Sequence, residues 1–117
     1  MNHVEAILRT NLSGARVCSE AELQAWIARV FKAAGVEHDR ERSIGEAGRP
    51  DFMVGKVAVE VKVGGSRMDL MRQVQRYATS PEVSGVLVVT TRLAHRLPAS
   101  LSGKPVTTIC VTAFGVV

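Results

Sequence analysis

The sequence predicts an α/β fold, a mixed β-sheet flanked by helices in the order α-β-β-β-α-β. Three observations predict it. Val57, Val59, Val61 and Val63 alternate with Ala58, Glu60 and Lys62, the period-two signature of a strand. From Ser19 to the stop at Gly35, Leu23, Trp26, Ile27, Val30, Phe31 and Ala34 recur at helical spacing. Gly85 to Thr90 is a continuous apolar run, the pattern of a strand covered on both faces.

At 117 residues the chain, 1–117, is one domain with one core. Apolar residues make up 46% and aromatics only 4%, so that core is built from Val, Leu, Ile and Ala. A formal charge of +4 favours an anionic partner, nucleic acid before a membrane surface. No stretch has the apolar length to span a bilayer, and the start shows no signal-peptide pattern. Cys18 and Cys110 stand alone, which argues against structural zinc and for reduced thiols in the cytoplasm. No repeat or low-complexity segment interrupts the pattern.

Taken in order, Val4, Ala6, Ile7 and Leu8 suit one or two helical turns, broken by Asn11 to Gly14. Residues 1–17 thus read as a short mobile arm toward DNA or a partner chain. In the helix from Ser19, the serine as N-cap and Glu22 three residues on make a capping box. Glu20 lies at the edge of the apolar stripe, aimed toward the sheet; the alternative is a first-turn acid that favours the helix dipole. Val36 to Ile44 reads as an exposed or edge strand entering the loop Gly45 to Gly48. Arg42, Ser43 and Arg49 flank that loop, either as phosphate contacts or as solvated groups. His3 and His38 read as surface residues, and His95 has no visible partner.

Phe52-Met53-Val54 is a shorter strand, and Gly55-Lys56 suits a two-residue hairpin turn with glycine first. In that register Val54 faces Val57 and Asp51 faces Glu60, with Cβ atoms roughly 4.5–5.5 Å apart. Glu60 and Lys62 project together from the face opposite the valines. Carboxylates so close repel by a few kcal/mol at an effective dielectric near ~20, and a cation between them relieves this. Two hard oxygen ligands with room for waters and a phosphate oxygen describe a Mg²⁺ site. Lys62 adds a positive donor for a phosphate oxygen or for the attacking water. The plain alternative is an amphipathic hairpin with a solvated polar face, on which Lys62 neutralises two acids.

Gly64-Gly65 ends this strand, and Ser66 with Asp69 makes a second capping box. Met68, Met71, Val74 and Ala78 give the helical stripe that follows, ending before Ser80-Pro81. Gln73 and Tyr77 share one face of it, and Arg67, Arg72 and Arg76 offer a positive rim. The strand Gly85–Thr90, reached through this helix, runs parallel to the valine strand by a right-handed crossover. Leu93 to Leu97 is a short turn closed by Pro98, and Val106 to Phe114 is a last strand.

Pro50-Asp51 with Glu60-Val61-Lys62 resembles the PD-(D/E)xK nuclease superfamily, the restriction-endonuclease-like phosphodiesterases, over roughly Ser19 to Thr91. Glu20-x-Glu22-Leu23 resembles the start of archaeal Holliday-junction resolvases within it. Gln73-x-x-x-Tyr77 resembles the Q-x-x-x-Y motif of RecB- and Cas4-like members, and Gly48-Arg49-Pro50-Asp51 with Glu60-Val61-Lys62 is similar to VRR-NUC domains. The resemblance implies a restriction-endonuclease-like core and a Mg²⁺-dependent DNA endonuclease, with Mn²⁺ able to substitute. It implies Asp51, Glu60, Lys62 and Glu20 as catalytic groups, and Asp51, Glu60, the Val61 carbonyl and Glu20 as metal ligands. Gln73 or Gln75, Tyr77 and the basic residues already named would hold substrate. Branched DNA cut by a homodimer is the first reading, with Val4-Ile7-Leu8 and the tail Ala113–Val117 as candidate dimer surfaces. A VRR-NUC- or RecB-like flap or single-strand nuclease is the alternative within the superfamily. A nucleic-acid-binding module of the same fold, without turnover, is the alternative outside enzymes.

Overall fold

Val57–Lys62 is a strand because its valines are β-branched and both of its faces are covered. In the computed structural model, which describes residues 1–13 and 19–117, it belongs to a seven-stranded mixed sheet. The strands are β1 (Asp39–Arg40), β2 (Phe52–Val54), β3 (Val57–Lys62), β4 (Gly85–Thr90), β5 (Ser100–Leu101), β6 (Lys104–Thr112) and β7 (Gly115–Val116). The helices are α1 (Asn2–Asn11), α2 (Glu20–Ala33) and α3 (Arg67–Ala78). Strand order is β1-β2-β3-β4-β6-β5, with β7 on β6. The central strands β3, β4 and β6 are parallel, as expected of strands joined by crossovers, and the flanking pairs are antiparallel.

Three layers result. Helices α1 and α2 cover one face of the sheet, packing on Phe52, Val57, Val59, Val61, Leu87, Val89 and Ile109. Helix α3 covers the other, packing on Met53, Ala58, Val86, Val88 and Val106. The hairpin has the expected register, Val54 opposite Val57 and Phe52 opposite Val59. Gly55 turns it at φ +56°, where a Cβ is disfavoured. Both expected N-caps form: Ser19 Oγ accepts the Glu22 N–H, and Ser66 Oγ the Asp69 N–H, each at 3.1 Å.

Several expectations are corrected. The N-terminal segment is not a free arm: Val4, Leu8 and Leu12 of α1 and its cap are buried in the core, and Trp26 Nε1 donates to the Asn11 carbonyl at 3.2 Å. Leu12 extends the i, i+4 stripe one turn past the break expected at Asn11. The part of the arm at 14–17, and Cys18, lie outside the described residues. In α3 Leu70 takes the buried place expected for Met68, which is 50% exposed. The segment after Gly35 yields only the short exposed β1. His38 is half-buried, with its ring centre 5.1 Å from that of Phe31 and 5.7 Å from that of Phe52. The last strand starts at Lys104, and the tail folds back on it as β7. Among the described residues no helix is long and apolar enough to cross a membrane.

Candidate active site

The paired register ends with Phe52 opposite Val59, and counting one residue further brings Asp51 beside Glu60. The ladder ends at Phe52, and Pro50, two residues earlier, has no N–H with which to extend it. The Val61 N–H turns to a side chain and donates to Asp51 Oδ2 at 2.8 Å. Two residues on, along the same edge, the Val63 N–H donates to Glu20 Oε1 at 3.1 Å. Glu20 comes from the first turn of α2, in the opposite helical layer from α3. Two carboxylates thereby complete the edge that β2 leaves open. The Val61 carbonyl lies on this edge too, facing Pro50, with no ladder donor opposite it.

Glu60 points away from the valines, as the alternation predicts, but its face is not solvated. Helix α3 covers it, leaving 3% of the residue exposed. Tyr77 Oη donates to Glu60 Oε1 at 2.9 Å, and Gln73 Nε2 donates to Tyr77 Oη at 2.9 Å and approaches Glu60 Oε1 at 3.5 Å. Gly48 lets the preceding loop close over the tyrosine, since a Cβ there would stand 3.3 Å from Tyr77 Cε1. Glu60 therefore does not face water as the plain reading has it, while Asp51 stays half-buried.

Burial has electrostatic consequences. It pushes the Glu60 carboxyl up to about 9, the Asp51 charge adds to the effect, and the Tyr77 hydrogen bond opposes it. Asp51 is also raised, chiefly by burial, against the pull of the Val61 N–H; Glu20 and Glu41 add repulsion. Near neutral pH the pair therefore retains a proton. Burial first and the Glu60 charge second hold the Tyr77 hydroxyl in its neutral, donating form.

Two neighbouring hard oxygen donors, one buried and one half-buried, suit a hard divalent cation in place of that proton. Glu20 does not join the pair in a three-ligand cage, and among the described residues no three His, Cys, Asp or Glu side chains do. The set that fits is two carboxylates with carbonyl and water oxygens, with Glu20 outside it on Val63.

Lys62 follows on the face of Glu60 and is half-buried. It forms no ion pair among the described residues, so it does not neutralise the acids. Its Cε and Nζ instead lie 3.0 and 3.1 Å from the place a Cβ on Gly65 would take.

The basic residues are less gathered than the sequence suggests. Arg42 forks onto Asp39 and Glu82, each at 3.2 Å, and Arg72 pairs with Asp69 at 3.2 Å. At 100° per residue Arg72 and Arg76 lie opposite the buried stripe of Leu70, Val74 and Tyr77, on the outward side of α3. They do not rim the acids. Arg67 Nε donates to the Arg96 carbonyl at 2.9 Å, and Ser43 and Arg49 are exposed. Gln75 bonds to Ser102 and not to the site. His95, expected to have no partner, is buried between Thr90 Oγ1 at 3.1 Å and the Gly65 carbonyl at 3.0 Å. Nothing near it in sequence signals these contacts.

Fold and site together define an α/β protein with a carboxyl pair, Glu60 buried and Asp51 half-buried, toward the carboxyl ends of its parallel strands, where open α/β sheets bind ligands. Comparison of the chain with protein-family models, with curated proteins and with solved structures finds no match.

Proposed function

We propose that the chain is a metal-dependent DNA endonuclease of the PD-(D/E)xK type, built on a restriction-endonuclease-like core. The observation that carries the reading is the neighbouring pair of buried Glu60 and half-buried Asp51, with Lys62, which has no ion pair among the described residues, next on the face of Glu60. Asp51 and Glu60, with the Val61 carbonyl, would hold Mg²⁺, or Mn²⁺ in its place, and Glu20 would act from outside them. When bound, such a cation supplies Lewis acidity toward water and neutralises charge on the phosphate. The Val61 N–H and the Tyr77 hydroxyl each fix one carboxylate oxygen. Gln73 keeps the tyrosine oriented as a donor. The Lys62 ammonium holds a phosphate oxygen or orients the attacking water. The net charge of +4 and the exposed Arg49 and Arg76 support a polyanionic substrate.

Branched DNA is the substrate we favour, cut by a two-fold dimer that presents two copies of the site. Burial of Val4 and Leu8 removes the N-terminal patch as its interface, which leaves the tail around the fully exposed Phe114. A monomer that trims flaps or single strands is the second reading. The intact Asp51–Glu60–Lys62 set argues against a module that only binds.

The test is incubation of plasmid, four-way junction and flap DNA with Mg²⁺, Mn²⁺ or EDTA. Cleavage is expected with either cation, absent with EDTA, and lost in Asp51→Asn and Lys62→Ala variants that remain folded. Cleavage retained in both variants would remove the nuclease reading.

A further inference from the structure

We propose that His95 is a positioning residue for Lys62, acting through the Gly64-Gly65 turn. The proposal rests on the reading above in which Lys62 is the working cation. Lys62 pairs with Thr90 in the β3–β4 ladder, and the chain then reverses at Gly65, φ +78°. The space a side chain at Gly65 would fill holds the end of Lys62. A lysine has four rotatable bonds and much rotamer entropy, so a fixed ammonium needs a fixed floor. Two successive glycines are a poor floor unless something holds them.

His95 holds them. Its ring is 3% exposed, carried by a short 3₁₀ turn at Leu93–His95. The Gly65 carbonyl can only accept, so Nε2 carries the hydrogen of that 3.0 Å bond. Nδ1 is then the acceptor for Thr90 Oγ1 at 3.1 Å, and the same oxygen accepts the Arg92 N–H at 3.2 Å. The result is a continuous line of hydrogen bonds from the end of β4, through a buried imidazole, to the turn beneath Lys62. Each member has one role available, which defines the ring orientation without help from solvent.

The amide of glutamine at this position can reach the Gly65 carbonyl as Nε2 does, whereas that of asparagine sits where Nδ1 was and falls short. Competitive acetylation of the full-length chain with acetic anhydride, read by mass spectrometry, tests the proposal, with Lys56 and Lys104 as internal references. In His95→Asn, Lys62 is expected to acetylate several-fold faster while the two references are unchanged; His95→Gln stays near the wild-type rate. Gly65→Ala, which evicts the lysine directly, reproduces the asparagine result. If His95→Asn does not fold, Thr90→Val, nearly isosteric, decides the matter, with a smaller rise expected. Wild-type reactivity of Lys62 in folded His95→Asn or in Thr90→Val, or an equal rise in asparagine and glutamine variants, overturns the proposal. Failure to cut DNA in any form would overturn the nuclease reading alone, since the labelling does not depend on turnover.

Discussion

Glu20 Oε1 accepts the backbone N–H of Val63 at 3.1 Å, joining positions 43 apart in the chain. Glu22, two residues on, stays at the helix start, where its N–H meets Ser19 Oγ at 3.1 Å. The two acids should therefore respond differently. Glu20→Gln keeps an acceptor oxygen and loses only charge, so stability holds within about 0.5 kcal/mol while cleavage falls by about tenfold or more. Glu22→Ala costs about 0.5–1 kcal/mol and leaves cleavage unchanged. Rates at matched folded fraction decide it, and equal rates in the two variants would refute the assignment.

The Glu60 carboxyl, raised to about 9 from 4.5 mainly by burial and then by the Asp51 charge, links stability to pH. The folded chain keeps a proton there that the unfolded chain releases above 4.5. The contribution of this group to metal-free stability is thus complete below 4.5, falls as pH rises, and is lost through about 9. For one group the slope reaches up to about 1.4 kcal/mol per pH unit. Glu60→Gln cannot ionise yet still accepts from Tyr77, so it should melt higher than the parent at alkaline pH, with a flatter profile. Thermal melts across this window in EDTA measure both slopes; matching slopes would contradict the electrostatic reading.

Divalent cation should stabilise the chain in proportion to occupancy. At about a hundred times its dissociation constant, Mg²⁺ adds about 2.7 kcal/mol. Because the pair must shed its proton, the shift grows from mildly acidic toward alkaline pH. Asp51→Asn should abolish it and EDTA reverse it, which scanning calorimetry reads without any DNA present. A shift of full size in Asp51→Asn would mean the cation sits elsewhere.

Helix α1 is part of the core, so Leu8→Ala, at a fully buried site, should cost about 2–5 kcal/mol. Phe114→Ser, at a position fully exposed in the single chain, should keep the stability of the monomer within about 0.5 kcal/mol. Chemical denaturation of both variants makes the comparison.

The hairpin and its acid pair are legible in the sequence because a two-residue turn fixes register, and register fixes which residues face each other. The capping serines are legible for a similar reason, since their partners lie within one turn. What could not be read depends on which layer covers which face. Tyr77 stands at a telling spacing from Gln73, but its bond to Glu60 exists only because α3 lies on that side of the sheet. The bond from His95 to Gly65 spans 30 positions and leaves no periodic trace. Arg42 looks free for phosphate until Glu82, 40 positions away, is brought beside it.

The β2–β3 ladder ends with Phe52 opposite Val59, and beyond that pair β3 runs without a strand on that side. A bare edge of this kind is a template onto which a strand from another molecule can add, the usual first step of aggregation. The two carboxylates that take up its N–H groups also blunt it, through charge and through occupancy. The acids assigned to chemistry are gatekeepers of solubility as well. Removing one leaves a guard in place, whereas the double variant Asp51→Ala, Glu20→Ala takes away both charge and acceptor and leaves none. Light scattering should find that double variant gathering into β-rich particles at concentrations where either single variant stays dispersed.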